Sequence, residues 1–200
     1  MAQDFTKISV QRGIDQVIVD NPTKFPLIGK GKQGAVFQIS PYKVVKVYWN
    51  PKSAAKEADV LAAGKASTII PKLYEKGPNY VVMEFVQGES LQDYLEGRTE
   101  IPPAMVRMIV SLFKEMERLK FGRMDVATKH VIITENEELK LLDHTNSFSK
   151  KLSIPLRFLN RLRKMDLLDS FFQQAKKLDK VRYSKWKKEY QEYLTQSDRL

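Results

Sequence analysis

The chain has 200 residues, 42% of them hydrophobic and 29% charged, and carries 34 Lys and Arg against 24 Asp and Glu for a formal charge of +10. That length and balance place it among soluble globular proteins, as one compact unit or two small lobes sharing a cleft. The lack of cysteine excludes disulfides, thiol catalysis and cysteine metal sites; with only His130 and His144 a histidine-based zinc site is not expected, and any metal should be oxygen-bound. No apolar run approaches the roughly 18 residues of a membrane span, and the N-terminus lacks a basic stretch leading into an apolar one. A cytoplasmic location is expected.

Residues 1–22 are a lead-in whose Ile8, Val10, Val17 and Ile18 suit an early strand or helix. The next stretch, Ile28-Gly29-Lys30-Gly31-Lys32-Gln33-Gly34-Ala35-Val36, spells G-x-G-x-x-G-x-V. In dinucleotide-binding units such glycines open a helix. Here they lead into the β-branched run 35–39, a turn at 40–43 and a second β-rich run, Val44-Val45-Lys46-Val47-Tyr48, so a strand-turn-strand is predicted. Three positions without Cβ let backbone N–H groups approach phosphate oxygens, in conformations that other residues resist. Lys46 would add a point charge from a rigid strand. The plain alternative is a glycine-rich hairpin with a snorkelling surface lysine.

An alanine-rich helix follows over 54–63, with Ser53 as its N-cap, Gly64 at its end, and Glu57, Val60 and Leu61 on one face. Strands are predicted at 72–75 and 80–86, then a break at 87–89 and a short helix at 90–95. Beyond Pro103, the apolar positions Met105, Val106, Ile109, Leu112, Phe113, Met116 and Leu119 recur at helical spacing, and Gly122 closes that helix. Residues 131–142 form a small hairpin, with Asp125 just before it and Asp143 just after it, which draws two carboxylates to one end. The plain reading of each carboxylate is a loop Asp that caps a helix or turn.

Two or more amphipathic helices are expected after Pro155. From Lys150 to the C-terminus there are 14 Lys and Arg against 6 Asp and Glu. This basic segment suits an acidic or nucleic-acid partner, or simply a solvated helix face. Trp186, Tyr190 and Tyr193 fall on one helical face, which suits packing better than base stacking.

Over roughly residues 25–148 these motifs resemble the protein-kinase family, and the short tail is similar to the atypical Rio-type and bacterial Rio-like serine/threonine kinases. The resemblance implies an α+β, bilobal fold: a β-rich N-lobe over 1–86 and a trimmed helical C-lobe over 87–200. It implies that Ile28, Gly29, Gly31, Gly34 and Val36 cover the phosphates of ATP, and that Lys46 pairs with Glu57. By the same likeness Met83, Glu84 and Val86 form the adenine hinge and Glu89 reaches the ribose. Arg123-Met124-Asp125 through His130 resembles the catalytic loop, and Leu142-Asp143-His144-Thr145 the D-F-G strand. Asp125 is then the base, and Asp143 with His130 binds magnesium, or manganese in its place.

The implied function is ATP-dependent phosphoryl transfer to Ser or Thr of an unidentified protein substrate. His130, His144 and Thr145 depart from the family pattern and motivate the alternative of a weak or inactive pseudokinase that binds nucleotide. An RNA- or ribosome-associated factor working through the basic segment is a third reading, and a small-molecule kinase ranks no higher.

Overall fold

The structure, a computed structural model, describes residues 5–143, 147–148 and 152–197. His144 and Thr145 lie outside the described residues. The fold is mixed α and β. The chain divides into two compact units, Met1–Gln87 with Asp143–Asn146 and Gly88–Leu142 with Ser147–Leu200.

In the first unit a 3-10 turn, Phe5–Lys7, precedes strands β1 (Ser9–Gln11) and β2 (Ile18–Asp20), which pair as a hairpin. The main sheet contains β3 (Leu27–Lys30), β4 (Gly34–Ser40), β5 (Lys43–Tyr48), β6 (Leu73–Lys76) and β7 (Tyr80–Glu84). Its order is β3-β4-β5-β7-β6, and every pair is antiparallel. Strand parity divides β5 between two environments. Val45 and Val47 join Phe37, Ile39, Phe5, Ile8 and Val17 in one apolar cluster. Lys46 and Tyr48 point the other way, toward helix α1 (Pro51–Ala63), whose buried residues are Ala54, Glu57, Ala58, Val60 and Leu61.

Helix α1 starts earlier than its alanine run suggests. Asn50, not Ser53, is the N-cap: its side chain accepts from the Lys52 N–H at 3.0 Å, and Pro51 occupies the first turn. An Asn-Pro pair supplies both the cap oxygen and a pre-set helical φ, which outcompetes a serine three residues on. Gly64 ends the helix as expected.

In the second unit β8 (Glu89–Ser90), β9 (Val131–Ile133) and β10 (Leu139–Leu141) form a small antiparallel sheet in the order β10-β9-β8. Helix α2 (Leu91–Leu95) is capped by the Ser90 hydroxyl. Helix α3 (Pro103–Arg118) buries Met105, Val106, Ile109, Leu112, Phe113 and Met116, as the apolar spacing predicts, and Val110 besides, whereas Leu119 lies beyond the helix as its C-cap. It stops four residues before Gly122, because Lys120 takes the left-handed conformation with φ 58°. The helices α4 (Leu156–Lys164), α5 (Leu168–Leu178) and α6 (Lys180–Ser197) complete this unit.

Aromatic rings fill the centre. Trp186 is 1% exposed and meets Phe113 edge-on at 4.9 Å and Phe171 face-on at 6.2 Å, between ring centroids. Around it, Arg182 forks onto Glu117 at 2.7 and 2.9 Å and onto Asp179 at 3.3 Å, tying α6 to α3. Those contacts hold the Glu117 carboxyl below its ordinary pKa, first through the Arg182 hydrogen bond. Among the described residues, no helix is long and apolar enough to cross a membrane.

Candidate functional site

In the first unit, Lys46 and Tyr48 share a strand face, and α1 brings Glu57 onto it. The Lys46 ammonium donates to Glu57 Oε2 at 2.9 Å, and the Tyr48 hydroxyl donates to the same oxygen at 2.7 Å. Glu57 is buried to 1% exposure, so its charge stays within the unit only because donors surround it. Asp143 Oδ1 lies 3.5 Å from Lys46 Nζ, and that side chain is 46% exposed. One lysine thus bridges a sunken carboxylate and an open one.

Burial by itself lowers the Lys46 pKa, but the Glu57 and Asp143 charges outweigh it and leave it above its ordinary value. Lys46 therefore remains an ammonium throughout the neutral range. Tyr48 is pushed well above the usual phenol value, by burial first and then by the Glu57 charge. It stays a donor.

The glycine hairpin borders this cluster through β4, where Val36 stands opposite Lys46 and Gly34 opposite Tyr48. Gly29, Gly31 and Gly34 do not play one common role, and none has positive φ. This corrects the expectation of conformations that other residues resist. A Cβ at Gly29 or Gly31 would meet nothing within 4 Å, whereas at Gly34 it would fall on the Val47 carbonyl oxygen and lie 3.3 Å from the Tyr48 Cα. Gly34 is required by strand packing; the other two leave space open.

Substitutions should separate these roles. Gly34→Ala is expected to destabilise the unit by about 1–3 kcal/mol through overpacking against backbone. Gly31→Ala is expected to leave urea unfolding unchanged; equal losses for the two variants would contradict this assignment.

The loop tip is braced both from outside the sheet and within its own hairpin. The Val17 N–H donates to the Gly31 carbonyl at 2.9 Å, the Trp49 indole to the Lys32 carbonyl at 3.1 Å, and the Gly31 N–H to the Gly34 carbonyl at 3.0 Å. Ile28 is 44% exposed beside it.

Along β7, Met83 is buried and pairs with Val44. Beyond it, the Glu84 N–H donates to the Lys72 carbonyl and the Phe85 N–H to the Tyr42 carbonyl. Val86 is the next position, and among the described residues its N–H has no partner.

The second unit holds the remaining residues. Asp125 is 7% exposed, and its carboxylate is occupied. Oδ1 accepts the Arg157 N–H at 2.6 Å, and Oδ2 accepts Arg157 Nε at 2.9 Å and Arg123 Nη2 at 3.2 Å. Arg157 Nη2 also donates to the Asp125 carbonyl at 2.8 Å. Arg157 lies in the first turn of α4, whose N-cap is Pro155 with no side-chain cap bond of its own. A carboxylate 32 residues upstream supplies the missing cap.

His130 ends a 3-10 turn, Thr128–His130, and its carbonyl accepts the Leu142 N–H at 2.7 Å, so its backbone closes the β9–β10 hairpin. Glu89 is exposed in β8 opposite Ile133. Next to it Gly88 has φ 147°, and its ideal Cβ would strike the Ile133 carbonyl oxygen. Of the aromatics interleaved with the basic tail, Trp186 and Tyr190 are buried, as their spacing predicts, and offer no exposed ring for stacking.

Sequence reasoning missed Tyr48 and Arg157. Tyr48 carries a signal, since it sits two positions from Lys46 on a predicted strand. Arg157 carries almost none.

Among the described residues, no group of three or more His, Asp or Glu side chains is arranged to hold a metal ion by itself. The open Asp143 carboxylate nevertheless suits magnesium, which is commonly held by one or two carboxylates together with substrate phosphates and water.

No protein-family model matches the chain. A protein of Bacillus subtilis (strain 168) called "Putative serine/threonine-protein kinase YrzF" is 23% identical over 131 residues, which cover 63% of this chain and 61% of that relative. The chain spans less than two thirds of the relative's length. It is similar, over most of its own length, to a protein that bears a kinase name.

Proposed function

We propose that the chain is a bilobal kinase that moves the terminal phosphate of ATP to a Ser or Thr hydroxyl of a protein. The observation that carries this reading is the Lys46 ammonium, fixed by buried Glu57 and 3.5 Å from the half-exposed Asp143. Phosphoryl transfer asks for positioning and charge stabilisation rather than covalent help. Lys46 is the fixed cation for the phosphates. Gly29 and Gly31 leave room for them under the hairpin, and Gly34 seats the hairpin on β5. The Val86 N–H is the hinge group suited to the adenine edge, with Met83 behind it, and Glu89 is the residue proposed to meet the ribose.

Asp143 would hold magnesium or manganese, and the ion, when bound, offsets the negative charge on the phosphates. The His130 backbone closes β9 and β10, and its imidazole is either a second, weaker ligand or a brace for the loop. Asp125 orients the acceptor hydroxyl. Its oxygen attacks phosphorus, the bond to the departing ADP oxygen breaks, and the proton passes to Asp125 or to solvent. A carboxylate has about four lone-pair sites, and three donors already occupy Asp125. One site remains for the hydroxyl. A Rio-like subtype is part of the same proposal, and the exposed lysines of α6 suit an acidic partner.

The same crowding favours a second reading, a nucleotide-binding pseudokinase in which Asp125 is a structural cap. Incubation of the protein with γ-labelled ATP, magnesium or manganese and a generic protein substrate separates the two. Metal-dependent incorporation supports transfer. Nucleotide-induced thermal stabilisation without incorporation favours the pseudokinase, and neither effect would overturn both.

A further inference from the structure

We propose that Tyr48 is a positioning residue that fixes the Lys46–Glu57 pair for nucleotide binding, an inference that rests on the kinase reading of the site. One side chain touches both partners of the pair. Its hydroxyl donates to Glu57 Oε2 at 2.7 Å, the oxygen that also takes the Lys46 ammonium. Its ring lies 5.2 Å from that ammonium, within cation–π range.

The residue is itself immobilised. Tyr48 is 1% exposed, its backbone N–H donates to the Asn79 carbonyl at 2.7 Å, and it faces Gly34 across the β4–β5 ladder. Lysine has a long flexible stem, whereas tyrosine has two side-chain torsions and a planar ring. A phenol pinned in the sheet therefore sets the orientation of the Glu57 carboxylate, and that carboxylate sets where the ammonium rests. Burial and the Glu57 charge raise the phenol's pKa, so the donor persists through the neutral range. The last loop glycine seats directly on this segment, since a Cβ at Gly34 would lie 3.3 Å from the Tyr48 Cα. The hairpin and the lysine thus both take their positions from the segment that carries Tyr48.

The test is a double-mutant cycle on the full chain, read by calorimetric titration with ATP and magnesium. Tyr48→Phe keeps the ring and removes only the hydroxyl. It is expected to weaken binding about ten-fold, the scale of one charge-assisted hydrogen bond. In a Glu57→Ala background, which removes both acceptor oxygens, the same change should cost nothing further, because its effect passes through the carboxylate. A purely packing role would give equal losses in both backgrounds. Wild-type affinity in Tyr48→Phe, or a loss undiminished by Glu57→Ala, overturns the inference while leaving the kinase reading intact. A wild-type chain that binds no nucleotide removes that reading, and this role with it.

Discussion

Replacing Trp186 by alanine is expected to cost about 3–5 kcal/mol, the range for deleting a large aromatic from a packed core. Trp186 is 1% exposed and lies against Phe113 and Phe171, while Phe158 meets both of those rings, at 5.4 and 5.3 Å. These rings come from α3, α4, α5 and α6, so the cavity would open where all four helices converge. Collapse into it is opposed by Arg182, which lies 5.6 Å from the indole and is fixed by Glu117 and Asp179. A loss this large is a sizeable part of a typical domain's stability. Urea unfolding followed by circular dichroism measures it. A shift below about 1 kcal/mol, the size of a surface change, would mean that the rings are not the core of this unit.

Asp125 should answer differently to two substitutions. Asp125→Ala removes the acceptor for the Arg157 N–H and for two guanidinium groups. A lost cap and lost charged hydrogen bonds together suggest about 2–3 kcal/mol. Asp125→Asn keeps an oxygen for the Arg157 N–H and should cost roughly half as much. If Asp125 orients the acceptor hydroxyl, both variants lose phosphate transfer by about a thousand-fold, since the amide cannot take the proton. Steady-state rates set beside melting curves separate the effects. Activity that follows stability across the pair would reduce Asp125 to a cap, and the plain reading of a loop Asp would stand alone.

The elements were legible where a local pattern fixes them. The G-x-G-x-x-G hairpin, the Lys46 strand and the α1 helix follow from strand alternation, turn residues and alanine content. The α3 stripe and the buried faces of Trp186 and Tyr190 follow from helical spacing. The Lys46–Glu57 pair is what the resemblance to the protein kinases implies, and no local pattern fixes it. Tyr48 is in principle equally visible, as i and i+2 on one strand share a face, yet a strand tyrosine reads most simply as core.

Other features depend on contacts far apart in sequence. The Asp125–Arg157 pair joins a loop to a helix whose own start, Pro155, has no capping side chain, and only the packing of the second unit reveals it. The separate duties of the three loop glycines were hidden for a related reason. Whether a Cβ fits depends on the neighbouring strand, and at Gly34 that neighbour is the Val47–Tyr48 backbone. The start of α1 was a local miss, since Asn50-Pro51 carries a stronger capping signal than Ser53.

The central claim is that Lys46, held by Glu57, is the cation that receives the phosphates of a nucleotide. Calorimetric titration of the whole chain with ATP, with and without magnesium, tests it most directly when wild type is compared with Lys46→Ala. Saturable binding strengthened by magnesium is expected, with at least about a ten-fold loss in the variant, as when a buried charge contact to phosphate is removed. Absence of binding to the wild type, or an identical isotherm for Lys46→Ala, would contradict it.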